Sequence, residues 1–173
     1  DDIYLPGGPV TIEIQYFEND GGAVAKLSWT PDNGQPTAPP APGTVIVDDT
    51  DAGFVQGGAA AGWRTQPEGY NGRLTWTYNN AYVRSSYNWA RWYPNLQSTW
   101  YEVYVYIPDR YTTTGQARYW VSHANGYTLR IVNQSQTGEQ WVYLGTYRFR
   151  GTNQDYVSLS DVTYEPYRSR LIG

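Results

Sequence analysis

Residues 10–17 alternate strictly. Val10, Ile12, Ile14 and Tyr16 point one way and Thr11, Glu13 and Gln15 the other, the period of a half-buried strand. Glu18, Asn19, Asp20, Gly21 and Gly22 follow as a turn, because Asn, Asp and Gly tolerate the positive φ of a tight reversal. Ala23, Ala25, Leu27 and Trp29 then form a second apolar face, which completes a β-hairpin over 1–30. Two strands alone are marginally stable in water, so this hairpin needs a cover for its apolar face. Residues 31–43 hold Pro31, Pro36, Pro39, Pro40 and Pro42 and read as a stiff linker. At about 3.1 Å per residue it reaches roughly 40 Å.

A larger unit begins at Thr44. Val45, Ile46 and Val47 predict a short strand that runs into Asp48, Asp49, Thr50 and Asp51. Further strands are predicted at 101–107, 118–123, 127–133, 141–149 and 156–160, separated by turns at Pro108-Asp109, Ala124-Asn125-Gly126 and Gly151-Thr152-Asn153. Sustained 3.6-residue periodicity is absent, so helix is minor. The pattern predicts an all-β fold, a jelly-roll-like antiparallel β-sandwich over 44–173 preceded by the hairpin and the Pro-rich linker.

Composition narrows the function. A formal charge of -4 argues against nucleic acid as a partner, and the absence of a run of about 18 apolar residues argues against membrane insertion. There is no Cys, so neither a disulfide framework nor a thiolate metal site is available. The aromatic residues are Tyr 18, Trp 8 and Phe 3. Tyr suits half-wet positions, where the ring packs and the hydroxyl meets water. Two readings stay open: cross-strand aromatic pairs that hold a β-fold together, or a stacking platform for sugar rings.

Two family resemblances follow. Residues 5–29 resemble the closing hairpin of a PA14 domain through Ile14, Tyr16, Asn19, Ala25, Leu27 and Trp29. Only that closing part is matched, so the resemblance implies nothing about sugar or calcium binding. Residues 45–165 resemble the golvesin C-terminal-like domain found beside xanthan lyase-type proteins. The match rests on Val45 to Phe54, on Gly62, Trp63 and Trp92, and on Tyr101 to Pro108. It continues through Tyr119 to His123, Val132 to Gln134, and Trp141 to Phe149. The resemblance implies a β-sandwich of large extracellular bacterial proteins with no catalytic activity. That family usually closes with a further strand, and this chain stops at Leu171, Ile172 and Gly173, just short of it.

Candidate chemistry is sparse. Asp48, Asp49 and Asp51 form the one compact acidic cluster, a candidate Ca²⁺ site through oxygen ligands or else the cap of a turn. No other cofactor is implied. His123 is the single histidine and reads as a hydrogen-bonded strand-end residue; no Gly-x-Ser-x-Gly elbow accompanies it. Glu68, Glu102, Asp109, Glu139, Asp155, Asp161 and Glu165 are scattered rather than paired for glycoside chemistry. Aromatic residues crowd 63–93, and Trp76, Tyr82, Trp89 and Tyr93 are candidate sugar-stacking rings, with Asn79, Asn80 and Asn88 as hydroxyl partners. The opposing reading puts the same rings in the core, Trp63 and Trp92 above all. Asn133-Gln134-Ser135 fits a glycosylation sequon, a tripeptide common by chance.

The sequence therefore reads as a non-catalytic module, extracellular or on the cell surface, that is structural or adhesive. Its partners are other copies of itself, joined head to tail into a fibre when one copy donates its hairpin to the next. The hairpin residues that would carry this are Val10, Ile12, Ile14, Tyr16, Ala25, Leu27 and Trp29. The alternative is a carbohydrate-binding module of a polysaccharide-associated protein.

Overall fold

A computed structural model describes residues 43–166 and 170–173. The hairpin, its seven donor residues and most of the Pro-rich linker lie outside the described residues. The described part is an antiparallel β-sandwich. Its strands are β1 (Phe54–Gly57), β2 (Arg64–Gln66), β3 (Leu74–Tyr78), β4 (Trp89–Trp92), β5 (Trp100–Ile107), β6 (Ala117–His123), β7 (Gly126–Val132), β8 (Gln140–Arg148), β9 (Tyr156–Ser160) and β10 (Leu171–Ile172). Helix is confined to single 3-10 turns at Ala60–Gly62, Tyr70–Gly72 and Gln134–Gln136.

One layer is a five-stranded sheet in the order β1-β4-β9-β6-β7. The other comprises a three-stranded sheet, β10-β3-β2, and the two-stranded sheet β5-β8. Alternation sorts each strand into an inner and an outer face. On β9, Val157 and Leu159 go inward and Tyr156, Ser158 and Ser160 outward; on β6, Ala117, Tyr119 and Val121 go inward. These inner residues meet Ile107, Leu144, Tyr147, Phe149 and Ile172 in one core. Tyr119, fully buried, keeps its hydroxyl satisfied by accepting from the buried Gln134 Nε2 at 2.8 Å. Burial drives the Tyr119 phenol well above its ordinary value.

The strands predicted in the second half, from 101 onward, form within a residue or two of the expected bounds. Three expectations are corrected. Val45, Ile46 and Val47 are not a strand, because no ladder partner runs beside them; β-branched composition favours a pleat but does not supply its neighbour. Leu171 and Ile172, where no strand was expected, form one, pairing antiparallel with Tyr78 and Thr77 of β3 and burying Ile172. The Gly- and Asn-rich region 54–92 holds four strands where none was read, since its short apolar runs are broken by Arg, Gly and Asn.

Candidate functional site

Residues paired across neighbouring strands share a face of the sheet. On the outer face of the five-stranded sheet, Trp89 of β4 pairs with Ser160 of β9, which pairs with Arg118 of β6. The next row runs Arg91, Ser158, Trp120, then Leu129 of β7. A third holds Tyr156, Ser122 and Tyr127. The two rows across β9 are opposite in sense: each serine has a Trp on one side and an Arg on the other. The small Ser158 and Ser160 make β9 the floor of a trough between β4 and β6, which lie two strand spacings, about 10 Å, apart.

Arg91 is the centre of the near wall. Its guanidinium lies 4.8 Å from the ring centroids of both Trp89 and Tyr156, and its Nη1 donates to the Tyr93 hydroxyl at 3.4 Å. That hydrogen bond is the largest influence raising the Arg91 pKa, so its charge is permanent. Trp89 lies back over Gly57 of β1, its register partner. A Cβ there would come within 2.4 Å of the indole, so only glycine lets the ring lie flat. Arg118 in turn has its guanidinium 5.0 Å from the Tyr164 ring. On the far wall Trp120 is 41% exposed and Tyr127 is 62% exposed. Hydrogen bonds with Tyr156 and Ser122 pull the Tyr127 phenol below its usual value, while burial raises that of Tyr156.

The structure divides the four predicted stacking rings. Trp89 and Tyr93 stand on this face, but the faces of Trp89 are taken by Gly57 and Arg91, and Tyr93 packs 5.3 Å from Tyr156. Trp76 lies on the face of β3 away from Thr77 and the core residue Ile172, yet is only 5% exposed, because Tyr111 stacks 5.1 Å from it and the Arg64 guanidinium lies 5.2 Å from its ring. It offers no ring face to a sugar, and that expectation is corrected. Tyr82 is exposed on the loop between β3 and β4, its ring under the Arg84 guanidinium at 4.8 Å. Trp89 and Trp92 do not share a side: they are an odd three residues apart on one strand, so Trp92 turns inward. Asn79, Asn80 and Asn88 are buried and bond inside the fold, to Thr163 Oγ1 at 3.0 Å, Asp161 Oδ2 at 2.7 Å and Thr77 Oγ1 at 2.9 Å. They hold the β3–β4 connection and cannot serve sugar hydroxyls. The half-exposed Trp120 is not among the residues the sequence reading singles out for this site, and neither are Arg91, Arg118 and the serines of β9. The signal was available in the alternation of Arg118-x-Trp120 and Ser158-x-Ser160 on strands that were correctly read.

The acidic cluster does not converge. Asp51 Oδ2 accepts from the Asp48 amide at 2.8 Å, a turn cap, whereas Asp49 turns away to the Thr75 hydroxyl and to Arg73 Nε at 3.4 Å. Burial, the largest influence, raises the Asp48 pKa. Among the described residues no group of three or more His, Cys, Asp or Glu side chains is placed to hold a metal ion. His123 ends β6 with its Nδ1 accepting from the Asn125 amide at 3.3 Å, which leaves Nε2–H to donate to Thr128 Oγ1 at 2.8 Å. Of the seven scattered carboxylates, Glu68 and Glu165 sit beside Arg110 and Arg170, Asp155 and Asp161 are buried in hydrogen bonds, and Glu102, Asp109 and Glu139 are exposed.

A second feature lies in the other layer. A cavity of about 520 Å³ runs along β5 and is lined by Val45, Val47, Leu74, Trp92, Val103 and Trp141 among others. Among the described residues β5 pairs with β8 alone, so its other edge is open. No helix of the described residues is long and apolar enough to cross a membrane.

These features define an all-β sandwich whose five-stranded sheet presents an exposed, aromatic and cationic face. The chain belongs to the Golvesin C-terminal domain family, whose model matches residues 45–168. Among solved structures, a Paenibacillus xanthan lyase shares the fold with a TM-score of 0.59 and 24% identity. The match covers 74% of this chain and 12% of that one, so the chain spans about an eighth of that enzyme's length. No curated protein matches the chain.

Proposed function

We propose that this domain is a non-catalytic extracellular module that binds polysaccharide on the outer face of its five-stranded sheet. The observation that carries the reading is Trp120, an exposed indole standing across Ser158 from Arg91. A flat aromatic ring stacks on the C–H face of a pyranose, and hydroxyls and guanidinium edges beside it take sugar hydroxyls. The surface is pre-formed on strands rather than loops, which limits the ordering cost of binding. Membership of the golvesin family supports a non-catalytic role outside the cell, and a relative by fold named for acting on xanthan supports a polysaccharide partner. Affinity electrophoresis through gels cast with a panel of soluble polysaccharides tests this. Retardation by at least one polymer, abolished by Trp120→Ala with the melting curve unchanged, is expected. Equal mobility of wild type and Trp120→Ala in every gel would refute it.

A second reading concerns assembly and is favoured by the open edge of β5 beside its cavity. The strand at 10–16 of one copy adds to that edge in the next, with Val10, Ile12, Ile14 and Tyr16 turned into the cavity and Thr11, Glu13 and Gln15 to water. Repeated head to tail, the contact builds a fibre, because a heterologous contact that does not close on itself propagates. Negative-stain microscopy should show filaments for the full chain and none after removal of 1–30. A monodisperse monomer of the full chain at high concentration would end this reading.

A further inference from the structure

The polysaccharide reading leaves the class of sugar open, and the charges on the sheet face bear on it. The outer-face positions of the five strands are Val55, Gly57, Trp89, Arg91, Tyr156, Ser158, Ser160, Arg118, Trp120, Ser122, Tyr127, Leu129 and Ile131, without one Asp or Glu. Two arginines thus stand on this face while the chain as a whole carries a net charge of -4. Four other arginines, Arg73, Arg110, Arg150 and Arg170, each have a carboxylate within 3.6 Å, while Arg64 lies over the Trp76 and Tyr78 rings and Arg130 donates to backbone carbonyls. Among the described residues Arg91 and Arg118 have no such carboxylate; their neighbours are aromatic rings.

The setting of Arg91 is that of a reader of anions. Its guanidinium plane is held against the Trp89 and Tyr156 rings, so its side chain is already ordered before any ligand arrives. Its Nε is buried, so a ligand can meet only the terminal edge formed by Nη1, which already touches the Tyr93 hydroxyl, and Nη2. A stacked guanidinium keeps its N–H donors in the plane of the group, at its edge, the geometry that meets a carboxylate with two parallel bonds. Trp120 faces it across Ser158, and Arg118 stands one row along across Ser160.

We infer, resting on the polysaccharide reading above, that the trough along β9 binds an anionic polysaccharide whose sugars carry a carboxylate. Arg91 takes the carboxylate, Trp120 stacks on the sugar ring, Ser158 and Ser160 meet ring hydroxyls from the floor, and Arg118 takes a second acidic group further along the chain. A neutral glycan would leave both guanidinium groups without a counter-charge and gain from stacking alone. A charged hydrogen-bond pair is worth enough to change affinity by roughly ten- to a hundredfold.

The test is isothermal titration of the full chain with polygalacturonate and alginate, each set against its carboxyl-reduced neutral counterpart. Wild type is expected to bind an acidic polymer roughly ten- to a hundredfold more tightly than its reduced form, with affinity falling as salt is raised. Arg91→Gln and Arg118→Gln bring the acidic polymer down to the level of the reduced one, whereas Trp120→Ala weakens both. Arg91→Lys, which keeps charge but loses the fork, falls between, and unchanged melting curves show that the variants fold. Equal binding of acidic and reduced polymers by wild type overturns the inference and leaves the polysaccharide reading standing. Binding of neither acidic polymer also overturns it, and if no reduced polymer binds either, the polysaccharide reading loses its support with it.

Discussion

The connection between β8 and β9 depends on one carboxylate. Asp155 is 1% exposed, and its Oδ2 accepts from the amides of Arg150 at 2.8 Å, Gly151 at 2.8 Å and Thr152 at 3.2 Å. Its Oδ1 takes the Arg150 guanidinium at 3.0 Å, and that side chain is 26% exposed. Asp155→Ala removes all four acceptor contacts at once. A hydrogen bond to an ionised group is worth about 1.5–3 kcal/mol, and four would sum to about 6–12 kcal/mol, comparable with the whole stability of a typical domain. Water reaches the exposed tip at Gly151 to Gln154 and serves some of the freed amides, which reduces the sum. The net expectation is about 3–5 kcal/mol, the range for removing one partner of a buried charge pair. For a domain of this size that lowers Tm by roughly 10–20 °C. Asp155→Asn keeps one acceptor oxygen but sets an amide against Arg150, so it should cost about half as much. Urea denaturation followed by tryptophan fluorescence measures both. An Asp155→Ala variant within about 1 kcal/mol of wild type would show that water alone satisfies this turn, and the reasoning would be wrong.

Three further outcomes are expected. Burial first, then Arg150, holds the His123 pKa below its ordinary value of 6.5, so its neutral form is favoured in the fold. The stability it supports is complete above about pH 6.5 and is lost as pH falls from there through the folded-state value; His123→Gln should flatten that part of a stability–pH curve, and an unchanged slope would assign the effect elsewhere. Gly57→Ala puts a Cβ 2.4 Å from the Trp89 indole, so the ring must lift away; a loss of about 1–3 kcal/mol and an altered tryptophan emission should follow, and an unaltered spectrum would contradict the packing. Because the Asp49 carboxylate turns to Thr75 and Arg73, Asp51 caps the Asp48 amide and the Asp48 carboxylate meets Asn71, melting curves in calcium and in chelator should superimpose, whereas a calcium-dependent rise in Tm would restore the metal site.

Legibility in the sequence followed the length of the alternating runs. The strands from β5 to β9 run five to nine residues and were read nearly to their ends. The shorter β1, β2 and β4 were not, because three or four residues barely distinguish a period of two from chance; β3, as long as β9, was also missed, since both of its faces carry large or half-buried residues and show no apolar–polar alternation. Aromatic crowding between 63 and 93 marked a region correctly but misled about the site. Trp76 is covered by Tyr111 and Arg64 and Trp89 is overlaid by Arg91, while the exposed Trp120 sits on a strand whose tryptophan carries only the family pattern in the sequence. What a single chain cannot show is which rows strands form side by side. Arg91 and Trp120 are 29 positions apart and become partners across Ser158 only through the order β4-β9-β6.

That order also explains why β9 suits a binding floor. It is the central strand of the sheet, laddered on both sides, and each end is fixed by a buried carboxylate. Before it, Asp155 gathers the amides of its turn; after it, Asp161 Oδ2 accepts from Asn80 Nδ2 at 2.7 Å and from the Asn88 amide at 2.9 Å, which ties the β3–β4 connection to the strand. Burial outweighs these bonds in setting the Asp161 pKa, which lies above its ordinary value, so holding that carboxylate in place is itself costly. Two buried acids flanking five residues are poorly explained by stability alone, since an apolar pair of similar volume would often do as well. They fix position: with Val157 and Leu159 locked in the core, Ser158 and Ser160 have little freedom to slide relative to Arg91 and Trp120. A carboxylate-bearing sugar then meets donors already at their bound spacing, and the free energy of contact goes into affinity rather than into ordering the surface.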